Sequence, residues 1–83
     1  MIEKVDVVAA GKAAAEKAGY TVAGVGTRHN GDGTTGFIWD LRKGEKKYMA
    51  ENAVHLGNVT PHALGTVFPK VMANDLLSAR EYK

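Results

Sequence analysis

Residues 28–37 read RHNGDGTTGF, a polar run broken by glycines and set between two apolar stretches. How this run is read decides the fold. Asn-Gly and Asp-Gly are among the strongest hairpin dipeptides, because Asn, Asp and Gly tolerate positive φ. Both occur here in succession, at Asn30-Gly31 and Asp32-Gly33. On the N-terminal side, YTVAGVGT (20–27) is rich in β-branched and aromatic residues and reads as a strand. On the C-terminal side, TGFIWDLR (35–42) alternates, with Phe37, Trp39 and Leu41 on one face and Ile38, Asp40 and Arg42 on the other. The run is therefore a hairpin connection, longer than the two-residue minimum.

Two other readings of the same run fail on chemistry. An EF-type calcium loop needs oxygen ligands at its first, third and fifth positions, glycine at the sixth and a bidentate acid at the twelfth. Placing Gly33 sixth puts Asn30 third and Asp32 fifth, but it also puts Arg28 first and Trp39 twelfth. A phosphate loop needs GxxxxGK followed by Ser or Thr and must open a helix, so that its N–H groups converge on the anion. GDGTTG contains no lysine and opens a strand.

Working outward, Arg42-Lys43-Gly44-Glu45 forms a second turn and KKYMA (46–50) a short third strand, completing an antiparallel meander. Gly24 and Gly26 share one face of the first strand, which marks a bulge or a close backbone contact. Upstream, VDVVAAGKAAAEKA (5–18) is alanine-rich and predicts a helix. Its uncharged arc holds Val7, Val8, Gly11, Ala14, Ala15 and Ala18, and Gly19 stands where a C-cap glycine belongs. Gly11 costs helix propensity, and close packing against that face accounts for it. A competing reading makes residues 2–8 a strand and starts the helix near Ala9.

Downstream, ENAVHLGNVT (51–60) has no clear period and reads as a connection. Thr60-Pro61 is a helix opening, with Thr as N-cap and Pro at the first helical position. Pro69 biases Phe68 away from helix. The expectation is a short turn at 61–67 and a main helix from Pro69 to about Tyr82, with Val71, Met72, Leu76, Ala79 and Tyr82 on one face and Asp75 among them. The result is one α+β domain spanning residues 1–83, ordered α-β-β-β-α, with the meander packed by an N-terminal and a C-terminal helix.

That order resembles the double-stranded-RNA-binding fold in topology. The chain departs from that family in its second helix, which opens TPHALGTVFPK where the family has a lysine cluster. No site residue is carried over from it.

The 83 residues contain no cysteine, which removes zinc-thiolate sites, thiol nucleophiles and disulfides together and fits a reducing, cytoplasmic location. No run approaches the roughly 20 apolar residues of a membrane span, and acids and lysines interrupt the N-terminal apolar stretch where a secretion signal has its apolar block. A core this small, without disulfides, leaves a homodimer that shares apolar surface as one route to stability.

The net charge is +2, and its distribution is uneven. Residues 1–27 and 48–83 each sum to zero, so the excess lies in 28–47: Arg28, Arg42, Lys43, Lys46 and Lys47 against Asp32, Asp40 and Glu45. Read functionally, these cations contact phosphate, with His29 or Asn30 reaching a groove or base edge. The candidate set is Arg28, His29, Asn30, Arg42, Lys43, Lys46 and Lys47, the partner DNA or RNA, the protein a small non-enzymatic binding module. The bland alternative is a solvated hairpin end.

A second reading is a protein-binding or inhibitory module of the phage or mobile-element type, using the open sheet face or the free edge of KKYMA. A third is a small metal-independent RNase toxin with His29 as acid or base beside Arg28 and Asp32. His29, His55 and His62 show no HxH or HxxxH spacing, and Ser78 is the only serine. No catalytic residue, metal or cofactor is assigned.

Overall fold

The computed structural model describes residues 2–83. Helix α1 (Lys4–Lys17) is followed by β1 (Thr21–His29), β2 (Thr35–Lys43) and β3 (Lys46–Val54). Two helices come next, α2 (Pro61–Thr66) and α3 (Phe68–Leu77), and then a short strand, β4 (Arg80–Tyr82). The sheet runs β1-β2-β3-β4, with every neighbouring pair antiparallel. The α+β meander read from the sequence is the architecture observed.

Local chemistry sets the element boundaries. The Asp6 carboxylate accepts the Glu3 backbone N–H at 2.8 Å and secures the start of α1. Gly19 takes φ +93° just after the helix, a backbone conformation open to glycine and strained for other residues. The β1–β2 loop is tied internally: the Asn30 amide donates to the Thr34 hydroxyl at 2.8 Å, and the Thr34 N–H donates to Asp32 Oδ1 at 3.0 Å. Gly33 supplies the positive φ the loop requires. The β2–β3 turn is tight, closed by the pair Lys43↔Lys46, with Gly44 at φ +64°. Thr60 accepts the Ala63 N–H at 3.0 Å and caps α2.

The helices cover one face of the sheet. Beneath them lie Phe37, Trp39 and Leu41 of β2, Ala50 and Val54 of β3, Val7 and Ala15 of α1, and Phe68, Met72 and Leu76 of α3. Fully burying each of the larger side chains contributes roughly 1.5–3 kcal/mol. Gly11 faces the indole of Trp39: a Cβ built there would stand 2.6 Å from Cζ2, 2.7 Å from Cζ3 and closer still to Cη2. The glycine is what lets α1 lie this low. Trp39 Nε1 donates to Asn52 Oδ1 at 3.1 Å, so the buried indole N–H is satisfied.

Three expectations are corrected. The third strand does not stop at Ala50 but continues to Val54, so the connection begins at His55. Tyr48, Ala50, Asn52 and Val54 alternate toward the helices, a period hidden because Ala and Asn are poor strand formers. The final helix does not run from Pro69 to Tyr82. It spans Phe68–Leu77 and ends in a tight turn, with the Ser78 and Ala79 N–H groups bonded to the Asp75 and Leu76 carbonyls. Tyr82 lies on β4, where a hydrogen bond to Asp40 outweighs helical periodicity. The buried stripe of α3 is Phe68, Met72 and Leu76, and Val71 is exposed.

Candidate functional site

Because paired residues on antiparallel strands share a face, the register sorts every charge on the sheet. On the face away from the helices, β1 offers Gly24, Gly26 and Arg28, and β2 offers Gly36, Ile38, Asp40 and Arg42. Opposite these on β3 stand Ala53, Glu51, Met49 and Lys47, and β4 adds Arg80 beside Met49 and Tyr82 beside Lys47. A Cβ built at Gly24 meets no atom within 4 Å, and one at Gly26 meets only Ile38, at 3.9 Å. Among the described residues, no helix lies over this face.

Its cations are Arg28, Arg42, Lys47 and Arg80 and its acids Asp40 and Glu51; four minus two leaves two positive charges, equal to the net charge of the whole chain. The rest of the molecule, seven cations against seven acids, is balanced. The cations stand at opposite corners. Arg28 lies over Gly36, its Cγ 3.4 Å from a Cβ built there, beside a shallow hollow of about 130 Å³ that Asn30, Ile38 and Glu51 also line. Arg42, Lys47 and Arg80 gather near the β2–β3 turn, six residues along β2 from Gly36, or about 20 Å at 3.4 Å per residue.

The turn corner is held by a polar cluster. The Tyr82 hydroxyl donates to Asp40 Oδ1, and Arg42 Nη1 donates to the same carboxylate oxygen and to the Tyr82 hydroxyl, the latter at 3.2 Å. The Tyr82 hydrogen bond first, and the Arg42 guanidinium second, hold the Asp40 carboxyl below its ordinary value; Asp40 in turn raises that of Arg42. Asp40 thereby fixes the direction of the arginine. At the other end of the sheet, hydrogen bonds from the Thr34 hydroxyl and N–H lower the Asp32 carboxyl.

The residues named from sequence are divided between the two faces. Arg28, Arg42 and Lys47 share the open one, Arg28 at the corner opposite the other two. His29 pairs with Thr35 and belongs to the helix-side face, so the sheet separates it from Arg28. Lys43 and Lys46 also belong to the helix side, with Lys43 Nζ 4.8 Å from the centroid of the Tyr20 ring. Asn30 is engaged within its loop by Thr34. Sequence reasoning missed Arg80, since it was expected on the last turn of a helix.

Among the described residues no group of three His, Cys, Asp or Glu side chains converges as metal ligands, and no helix is long and apolar enough to cross a membrane. Comparison with known proteins finds no matching family model, no matching curated protein and no matching solved structure.

Proposed function

We propose that the protein binds the phosphate backbone of duplex nucleic acid across the open face of its sheet, with Arg28, Arg42, Lys47 and Arg80 as the contacting side chains. The observation that carries this reading is the collection of the whole net charge on the one uncovered face. On this face the like-charged residues Arg42 and Lys47 stand directly opposite each other at the β2–β3 turn. Facing like charges destabilise a hairpin, and an anionic partner relieves that cost. The glycines at 24 and 26 leave the β1 side of the face low enough for a backbone to approach. A duplex is favoured over a single strand because Tyr82, the only aromatic ring on the face among the described residues, is engaged with Asp40 and Arg42, whereas single-strand readers stack bases on free rings.

The test is binding to a random-sequence duplex, followed by fluorescence anisotropy over a salt series. Four phosphate contacts give a slope of log K against log salt of about −3.6. The triple variant R28E/K47E/R80E loses binding, whereas K4E/K12E/K17E on α1, with the same change in total charge, keeps most of it. Equal losses in the two variants, or an affinity indifferent to salt, refute the reading.

A further inference from the structure

We infer that the recess between α3 and β4 binds a small aliphatic diamine, with Asp75 holding one of its ammonium groups. The inference is independent of nucleic-acid binding. Strand β4 covers only Lys47–Met49 of β3. Where it stops, Ala50 and Glu51 line a recess of about 580 Å³ that Asp75 of α3 borders on the other side. That volume falls in the range of roughly 300–1,000 Å³ found for small-molecule sites.

The charge of this recess is not used up by the protein itself. Asp6, Asp32 and Asp40 each accept a hydrogen bond. Asp75 is half-buried, and among the described residues its buried Oδ2 accepts none. A carboxylate withdrawn from water without a donor calls for an explanation, and a bound cation supplies one. The charge is shared by both oxygens, so a cation seated in the recess compensates it without reaching Oδ2 itself. Glu51, Glu81 and Arg80 also line the recess, and three acids against one arginine leave two negative charges. Among the described residues the one ion pair joins Arg42 to Asp40, so Arg80 does not neutralise these acids. Salt screens partly buried charges less than exposed ones, which strengthens the pull on a dication. Two features select an organic dication over a metal ion. Among the described residues no three His, Cys, Asp or Glu side chains converge as metal ligands. Met49 and Ala50 give the wall an apolar stretch, suited to methylene groups and not to a hydrated ion. One ammonium group sits at Asp75 and the other in the field of Glu51 and Glu81, with the aliphatic chain along Met49 and Ala50.

The experiment is calorimetric titration of the full chain with putrescine, a four-carbon diamine, paired with thermal melting. Binding is saturable, with a Kd at or below about 1 mM, and the diamine raises Tm. n-Butylamine, with a single charge, binds about tenfold or more weakly, and Mg²⁺ does not compete. D75A abolishes binding, yet without amine it melts at or above the parental temperature, which separates lost binding from lost folding. E45Q, on the exposed β2–β3 turn, removes the same charge and keeps the affinity. E51Q/E81Q spares Asp75 and lowers the affinity for putrescine to that for n-butylamine. No saturable binding at millimolar putrescine overturns the inference, as does binding that D75A retains, an E45Q loss as large as that of D75A, or equal competition by Mg²⁺. Should D75A fail to fold, E51Q/E81Q decides: an undiminished preference for putrescine over n-butylamine overturns the inference, and its loss supports it.

Discussion

The contact of Gly11 with Trp39 makes a prediction whose sign runs against helix propensity. In an exposed helix, Gly→Ala gains roughly 1 kcal/mol. Here the added methyl would stand 2.6 Å from Cζ2 of Trp39, where carbon–carbon contacts prefer about 3.5–4.0 Å. The indole would have to retreat by about 1 Å or more, and it has nowhere to go. Trp39 is fully buried, stacks against Phe37 with ring centroids 6.0 Å apart, and donates its N–H to Asn52. Overpacking a filled core costs roughly 1–3 kcal/mol, and pulling the indole off Asn52 leaves a buried N–H unsatisfied at about 1–3 kcal/mol more. Less the propensity gain, G11A should destabilise by about 1–5 kcal/mol. For a domain of this size each kcal/mol lowers Tm by roughly 4–8 °C. Trp39 is the only tryptophan, so fluorescence-monitored urea and thermal unfolding reads both the stability and the indole's surroundings. A G11A protein that melts at or above the parental temperature, with unchanged emission, would refute the packing of α1 on Trp39.

Two more perturbations test the polar groups. Asp40 has a folded pKa below its ordinary 3.8, so its contribution is present above that value and lost as pH falls through the lower folded one. The Tm gap between the parent and D40N should therefore close as pH drops below about 4, and a gap constant with pH would dispose of the cluster at Tyr82. Asp75 lines the recess of about 580 Å³ between α3 and β4, with Oδ2 buried and, among the described residues, without a hydrogen-bond partner. An unmade hydrogen bond of this kind costs about 1–3 kcal/mol, so D75A should raise Tm; a lower Tm shows that the carboxylate is satisfied in solution.

Of the site, the sequence showed which residues carry the surplus charge but not which of them act together. Arg28 and His29 are neighbours in the chain, and the pleat sends them to opposite faces. Arg42 and Lys47 are separated by the tight turn and end side by side. Arg80 was illegible because its neighbourhood reads as helix. The hydrogen bond that draws Tyr82 to Asp40 lies between residues 42 apart in sequence, and no window of the sequence displays it. The third strand was read short for a related reason: Asn52 has weak strand propensity, and what holds it in the ladder's core face is the indole of Trp39 and the sulfur of Met72, to which its amide donates at 3.3 Å.

What the chain determined by itself was local. Glycines at 19, 33 and 44 set the reversals, because few other residues accept positive φ. Alternation in TGFIWDLR set a half-buried strand, and an alanine-rich arc with Gly11 at its centre set a helix that packs close. The tertiary structure decided the rest. A strand's alternation says that two faces exist, but only the seating of α1 and α3 chooses the one they cover. That choice buries Trp39 and leaves Arg28, Arg42 and Lys47 facing water. Burial energy depends on which surfaces meet, and which surfaces meet depends on contacts between residues far apart in the chain.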